Sequence, residues 1–132
     1  MNYLLDSHTF IWSVIAKDKL SGNAAPIIEN SENQIFVSHL TFWEISIKQE
    51  LGKINLHGSS PEEFDDWCER LNFKTLPLSL LDVTTFYKLP RSNHNDPFDR
   101  MLVWQAINRK FTLISKDKSL QLYLPQGLKI LW

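Results

Sequence analysis

Four carboxylates in this sequence stand where acids can gather around a cation. Asp6 ends the apolar run 2–5, Glu44 lies early in the stretch 38–51, Asp99 follows Asp96-Pro97-Phe98, and Asp117 lies just beyond the run 111–114. Carboxylate oxygens are the ligands of hard divalent cations such as Mg²⁺ or Mn²⁺, which keep several waters for a phosphate-bearing substrate. A cation held in this way activates water and neutralises charge on a phosphodiester. No rival chemistry is written as clearly. The histidines (His8, His39, His57, His94) and Cys68 do not form a cluster with zinc spacing. There is no Walker loop, no GxGxxG and no Gly-x-Ser-x-Gly elbow. Cys68 has no His near it in sequence, which leaves thiol catalysis unsupported.

The elements that must position these acids follow from the apolar patterning. The short apolar runs 2–5, 34–37, 73–76, 111–114 and 128–131 read as buried strands. Between them, 7–15, 23–30, 38–51, 60–71, 79–88, 96–109 and 118–123 read as helices, with 89–95 a loop broken by Pro90. Leu40, Trp43, Ile47 and Leu51 recur at helical spacing, and Gly52 supplies a stop. Ser60-Pro61-Glu62-Glu63 combines an N-cap, Pro at the first helical position and a capping-box Glu. Buried strands alternating with amphipathic helices, joined by right-handed crossovers, predict an α/β fold: a three-layer α/β/α sandwich with a short, mostly parallel central sheet. In such a sheet, residues at the carboxyl ends of strands line the ligand crevice, where Asp6 and Asp117 fall. Helices after parallel strands begin on the same side, so Glu44 and Asp99 can join them.

Each acid also has a plainer role open to it. Glu44 follows Thr41 at capping-box spacing and precedes Lys48 by one helical turn, a favourable ion pair. Asp96 before Pro97 is a natural N-cap, which leaves Asp99 freer to bind metal. Asp6 and Asp117 stand directly before helical segments that they can cap. Ser38 and Ser115 fit either turn formation and capping or the orientation of a carboxylate or a water. Surface or supporting hydrogen bonds are expected of His8, His39 and His94.

Four blocks together resemble a known family. Leu4-Leu5-Asp6-Ser7-His8, Ser38-x-x-Thr41-x-x-Glu44-Ile45-x-x-Lys48, His94-x-Asp96-Pro97-Phe98-Asp99-Arg100-Met101-Leu102-Val103 and Leu113-Ile114-Ser115-Lys116-Asp117 resemble PIN domains. Their order and spacing are most similar to VapC-like toxins of bacterial type II toxin–antitoxin modules. The resemblance covers the chain as a single PIN-like domain, residues 1–132, and implies an endoribonuclease dependent on Mg²⁺ or Mn²⁺ and held inactive by an antitoxin. Carried over residue by residue, it implies that Asp6, Asp99 and Asp117 ligate the metal. Glu44 completes the site or positions the attacking water, and Asp96 is an auxiliary acid, as Ser38 and Ser115 can be. One departure is Trp104, where the pattern has a small residue.

Composition sets the outer limits. The 132 residues are 43% hydrophobic, which excludes disordered and collagen-like classes. The lone cysteine cannot form an internal disulfide, and no apolar run is long enough to span a bilayer. With no basic region before the first apolar stretch, a signal peptide is not expected and a cytoplasmic location is. Fourteen basic and fifteen acidic residues leave a formal charge of −1, so RNA has to be met by a local rim. Lys48, Arg100, Lys116 and Lys118 lie nearest the acids in sequence, with Lys53 and Arg91 further out. Five tryptophans in so small a chain, together with the resemblance, suggest a homodimer. Two other classes compete: a catalytically inactive PIN-like binding module, and a receiver-like phospho-acceptor domain, which fits poorly because Asp6 lacks an acidic neighbour.

Overall fold

The computed structural model describes residues 1–132. Strand β1 (Asn2–Leu5) lies at its centre with Tyr3, Leu4 and Leu5 all buried, which requires cover on both faces of the sheet. Its neighbours are β2 (Gln34–Ser38) and β4 (Thr112–Ile114), flanked by β3 (Lys74–Leu76) and β5 (Lys129–Leu131). The order is β3-β2-β1-β4-β5 and every pairing is parallel. Register places Leu5 beside Val37 on one side and Ile114 on the other, so β1, β2 and β4 end together. The mostly parallel three-layer sandwich read from the sequence is the fold found.

Alternating side chains feed two cores. Tyr3, Leu5, Ile35, Val37 and Ile114 pack with α1 (Ser7–Ile15), α2 (Ala24–Glu29) and α4 (Phe64–Leu71). Phe10 meets Phe64 edge-on there, with ring centroids 5.5 Å apart. Leu4 and Leu113 point the other way, onto Leu102, Val103 and Ala106 of α6 (Pro97–Arg109) and onto Tyr123. Helix α3 (His39–Glu50) contributes to both, through Ile45 and Leu40 respectively. Cys68 is buried in the first core, where burial and then the Asp65 carboxylate push its thiol up to about 11.

Several elements differ from the sequence reading. The segment 118–123 belongs to a 3₁₀ helix, Lys118–Gln126, which contains Pro125 and stops at Gly127 with φ 100°. The segment 79–88 splits into α5 (Leu80–Thr85) and a 3₁₀ turn, Phe86–Lys88. At 60–71 the chain opens as a 3₁₀ turn, Pro61–Glu63, in which Ser60 N–H donates to Glu63 Oε2 at 2.7 Å. Trp104 is accommodated because its indole N–H donates to Thr85 Oγ1 at 3.1 Å. Trp67 is a core residue, whereas Trp43 is 60% exposed. No helix is long and apolar enough to cross a membrane.

The second core also holds an acid, Asp82, whose capping-box spacing after Ser79 is visible in the sequence but whose burial is not. Asp82 is fully buried and accepts from Arg109 Nη1 and Nη2, both at 2.8 Å, and from Asn108, Gln105 and the Ser79 N–H. Burial alone would raise its pKa, but the Arg109, Ser79 and Asn108 donors outweigh it and hold the carboxyl well below the usual carboxylate range. Removing one partner of such a pair leaves the other charge uncompensated, so Asp82→Ala should destabilise the fold by about 3–5 kcal/mol. Because the folded-state pKa is depressed, this stabilisation is present above the unfolded carboxylate range and lost as pH falls below it. Urea denaturation should therefore show a wild-type advantage over Asp82→Ala that is constant between about pH 5 and 7 and declines in stronger acid.

Candidate metal centre in an acidic crevice

The chain leaves β1 and β4 in opposite directions, and an open crevice of about 380 Å³ lies beyond their carboxyl ends. Asp6, Glu44, Asp96, Asp99 and Asp117 all line it, as do Lys48 and Lys116. Sequence-distant acids meet here because the segments after β1, β2 and β4 and the start of α6 all lie on this side of the sheet. The Asp6 N–H donates to Ile114 O at 3.2 Å, tying the end of β1 to β4. Asp99 is the centre of the cluster. Ligand-competent atoms of Glu44, Asp96 and Asp99 lie within 4.8 Å of one another, and so do those of His94, Asp99 and Asp117. Asp6 lines the crevice without joining either group.

The capping roles and the crevice placement coexist. Asp6 Oδ1 accepts from Thr9 N–H at 2.8 Å and caps α1. Asp96 Oδ1 accepts from Phe98 and Asp99 N–H and caps α6. Asp117 Oδ1 accepts from Ser119 N–H at 2.9 Å and from its hydroxyl at 2.6 Å. Each acid has a second oxygen outside these caps. Glu44 is not in a capping box, because Ser38 rather than Thr41 caps α3. Instead Ser7 Oγ donates to Glu44 Oε1, and Lys48 Nζ stands 3.3 Å from Oε2.

Three residues named from the sequence do not line the crevice. Ser38 is fully buried, away from the crevice, and donates to Gln105 Oε1 at 2.6 Å. Ser115 is buried as well and accepts from Asp117 N–H at 3.1 Å, so it shapes the turn carrying that acid. Arg100 is turned out of the crevice. Its guanidinium donates to Leu89 O at 3.1 Å and Pro90 O at 3.2 Å, packs over Phe86 and reaches the Tyr123 hydroxyl. It anchors the loop before α6 and does not line the crevice. The sequence reading missed Ser7, which carries only a generic hydroxyl signal. His94 has the supporting role expected: Nε2 lies 3.1 Å from Asp99 Oδ2 and Nδ1 lies 3.2 Å from Ser119 Oγ.

The electrostatics show what the crevice favours. Burial, then the Asp96 and Glu44 carboxylates, push Asp99 up to about 6 from an ordinary 3.8, with His94 opposing. Oxygen donors at this spacing, in a place where negative charge is disfavoured, fit a hard divalent cation. The sign of the linkage is definite. A raised carboxylate pKa means that the folded state binds more protons between the unfolded and folded values, so Asp99 lowers stability as pH rises through about 6. In EDTA, Asp99→Asn should melt above wild type at pH 7.5, with the gap closing toward pH 4. A gap that stays constant across a thermal-melt pH series would contradict this.

The sequence profile of the PIN domain matches residues 3–123. The chain is 28% identical over 120 residues to Ribonuclease VapC22 of Mycobacterium tuberculosis, covering 89% of this chain and 88% of that protein. Among solved structures, VapBC2 from Rickettsia felis, bound to a DNA fragment from its promoter, superposes with a TM-score of 0.66 at 14% identity, covering 99% of this chain and 98% of that one. DNA-bound VapBC from Salmonella typhimurium gives 0.63 at 17% identity, covering 99% and 97%. These low identities speak to the fold. The profile match runs from β1 into the 3₁₀ helix after Asp117 and so takes in every acid of the crevice, which places the chain in the PIN domain family.

Proposed function

We propose that this protein is an endoribonuclease that hydrolyses RNA phosphodiester bonds with Mg²⁺ or Mn²⁺ and acts as the toxin of a toxin–antitoxin pair. The observation that carries the reading is the convergence of acids from separate segments on Asp99, whose ionised form is disfavoured until a cation joins it. Similarity to a VapC ribonuclease and to VapBC assemblies supports the same reading.

Asp6, Asp99 and Asp117 would hold the ion, with Asp96 as an auxiliary acid. When bound there, a divalent ion supplies water activation and neutralises charge on the phosphodiester. Glu44, clamped between Ser7 and Lys48 in a fixed orientation, would complete the metal site or position the attacking water. His94 and Ser119 keep Asp99 and Asp117 in place. Lys116 stands over the Trp12 ring at 5.9 Å and Lys48 lines the crevice, giving the phosphate backbone a small basic rim beside an aromatic face. Next to the crevice, a cleft of about 530 Å³ between α1 and α3 is lined by Ile11, Ile15, Ile45 and Ile54, with Lys19 and Lys53 at its edge. It suits an apolar antitoxin segment. A homodimer completes the reading, and light scattering should return twice the chain mass.

Cleavage of a mixed RNA pool tests the assignment. Activity should need Mg²⁺ or Mn²⁺ and vanish in EDTA. Asp6→Ala, Glu44→Ala, Asp99→Ala and Asp117→Ala should each lower it by about 100-fold or more. Asp96→Ala should lose less activity and about 1 kcal/mol of stability, because it removes the α6 cap. A folded wild-type protein with no metal-dependent cleavage would favour the binding-module alternative instead.

A further inference from the structure

Helices α3 and α6 meet at two places. One is the crevice, where Glu44 and Asp99 face each other. The other is buried: Ser38 Oγ donates to Gln105 Oε1 at 2.6 Å, and both residues are fully enclosed. Glu44 lies six residues after Ser38, and Asp99 lies six residues before Gln105. The two contacts therefore run in opposite senses along the helices, separated on each by roughly 9 Å at 1.5 Å per residue. At the crevice end Trp43 meets Phe98 edge-on at 5.3 Å and is largely exposed, while between the two contacts Leu40 shares the second core with Leu102 and Val103.

The polar contact is built to hold one geometry. Ser38 Oγ also accepts from Leu40 N–H at 3.1 Å, so a single hydroxyl caps α3 and grips α6. Gln105 Nε2 donates to Asp82 Oδ2 at 3.3 Å and to Pro77 O at 3.4 Å. Asp82, ionised and paired with Arg109, can only accept, which sets the amide with its oxygen toward Ser38. Apolar neighbours such as Leu40 and Val103 drive burial without pairing a particular donor with a particular acceptor, because the hydrophobic effect is non-directional. A hydrogen bond with fixed donor and acceptor is directional, and a slip of one residue would shift the helices by about 1.5 Å.

We infer that Gln105 is a positioning residue that, through its bond to Ser38, sets the offset of α3 on α6 and so holds the Glu44 carboxylate opposite Asp99. This rests on reading the crevice as a divalent-metal site. Gln105 touches neither crevice nor substrate; it acts through the two helices. If it served only to satisfy buried polar groups, its loss would lower stability without changing how the folded protein binds an ion.

The test is Mn²⁺ affinity of the folded protein, read by electron paramagnetic resonance of free Mn²⁺, alongside melting temperature. Wild type should bind Mn²⁺ and Asp99→Ala should not; a wild type without binding would refute the metal-site reading itself. Gln105→Met and Ser38→Ala should each weaken Mn²⁺ binding about 10-fold or more. Ser38→Thr, which keeps the hydroxyl, should stay near wild type. Ile28→Ala, in the opposite core, should lower the melting temperature and leave Mn²⁺ affinity unchanged. Wild-type affinity in Gln105→Met would overturn the inference while leaving the metal site standing. If Gln105→Met does not fold, equal affinities for Ser38→Ala and Ser38→Thr would overturn it in the same way.

Discussion

The molecule is organised around crowded negative charge. Two carboxylates about 5 Å apart repel by about 3 kcal/mol at an effective dielectric near 20, and Asp99 has both Asp96 and Glu44 as neighbours of this kind. Such a cluster stays together only when the backbone gives it no alternative. Here a parallel sheet ends three strands at one level, and the segments that follow deliver their acids to the same crevice. The crowding raises Asp99 and makes the crevice receptive to a cation.

Backbone dipoles help to hold the acids there. Asp6, Asp96 and Asp117 each accept from N–H groups at the start of the segments they cap. These positive ends of helical segments favour negative charge, and the hydrogen bonds fix the carboxylates in orientation. An N-cap needs only one oxygen, so capping and facing the crevice are compatible for the same side chain. The apparent competition between a structural and a chemical role thus disappears once both oxygens are considered.

Asp82 shows the contrasting treatment of an acid. It is more deeply buried than Asp99, yet a bidentate arginine and further donors compensate it fully, and its pKa moves in the opposite direction. The comparison separates a carboxylate that knits α5 to α6 from one left short of positive charge. Only the second calls for a ligand from outside. The two are linked within the fold, since Gln105 joins Asp82 to Ser38 at the start of the helix that carries Glu44.

Much of this was legible in the linear chain. The apolar runs that become β1 and β2 are strands because both their faces are buried, and the helices after them follow from 3.6-residue spacing and capping residues. The acids stood out because they sit at strand ends and helix starts, positions that local pattern defines. What lay beyond reach was direction. Arg100 adjoins Asp99 in sequence but leaves the crevice, since successive helical residues point about 100° apart. Ser38 caps its helix, one of the roles open to it in the sequence, but its bond to Gln105, 67 residues away, is written nowhere in the local pattern. Sequence alone determined which elements form and which ends carry acids, because those depend on neighbours within a turn or two. Only the tertiary structure decided which acid is crowded, which is neutralised and which hydroxyl pins a helix, because those depend on residues that packing brings together.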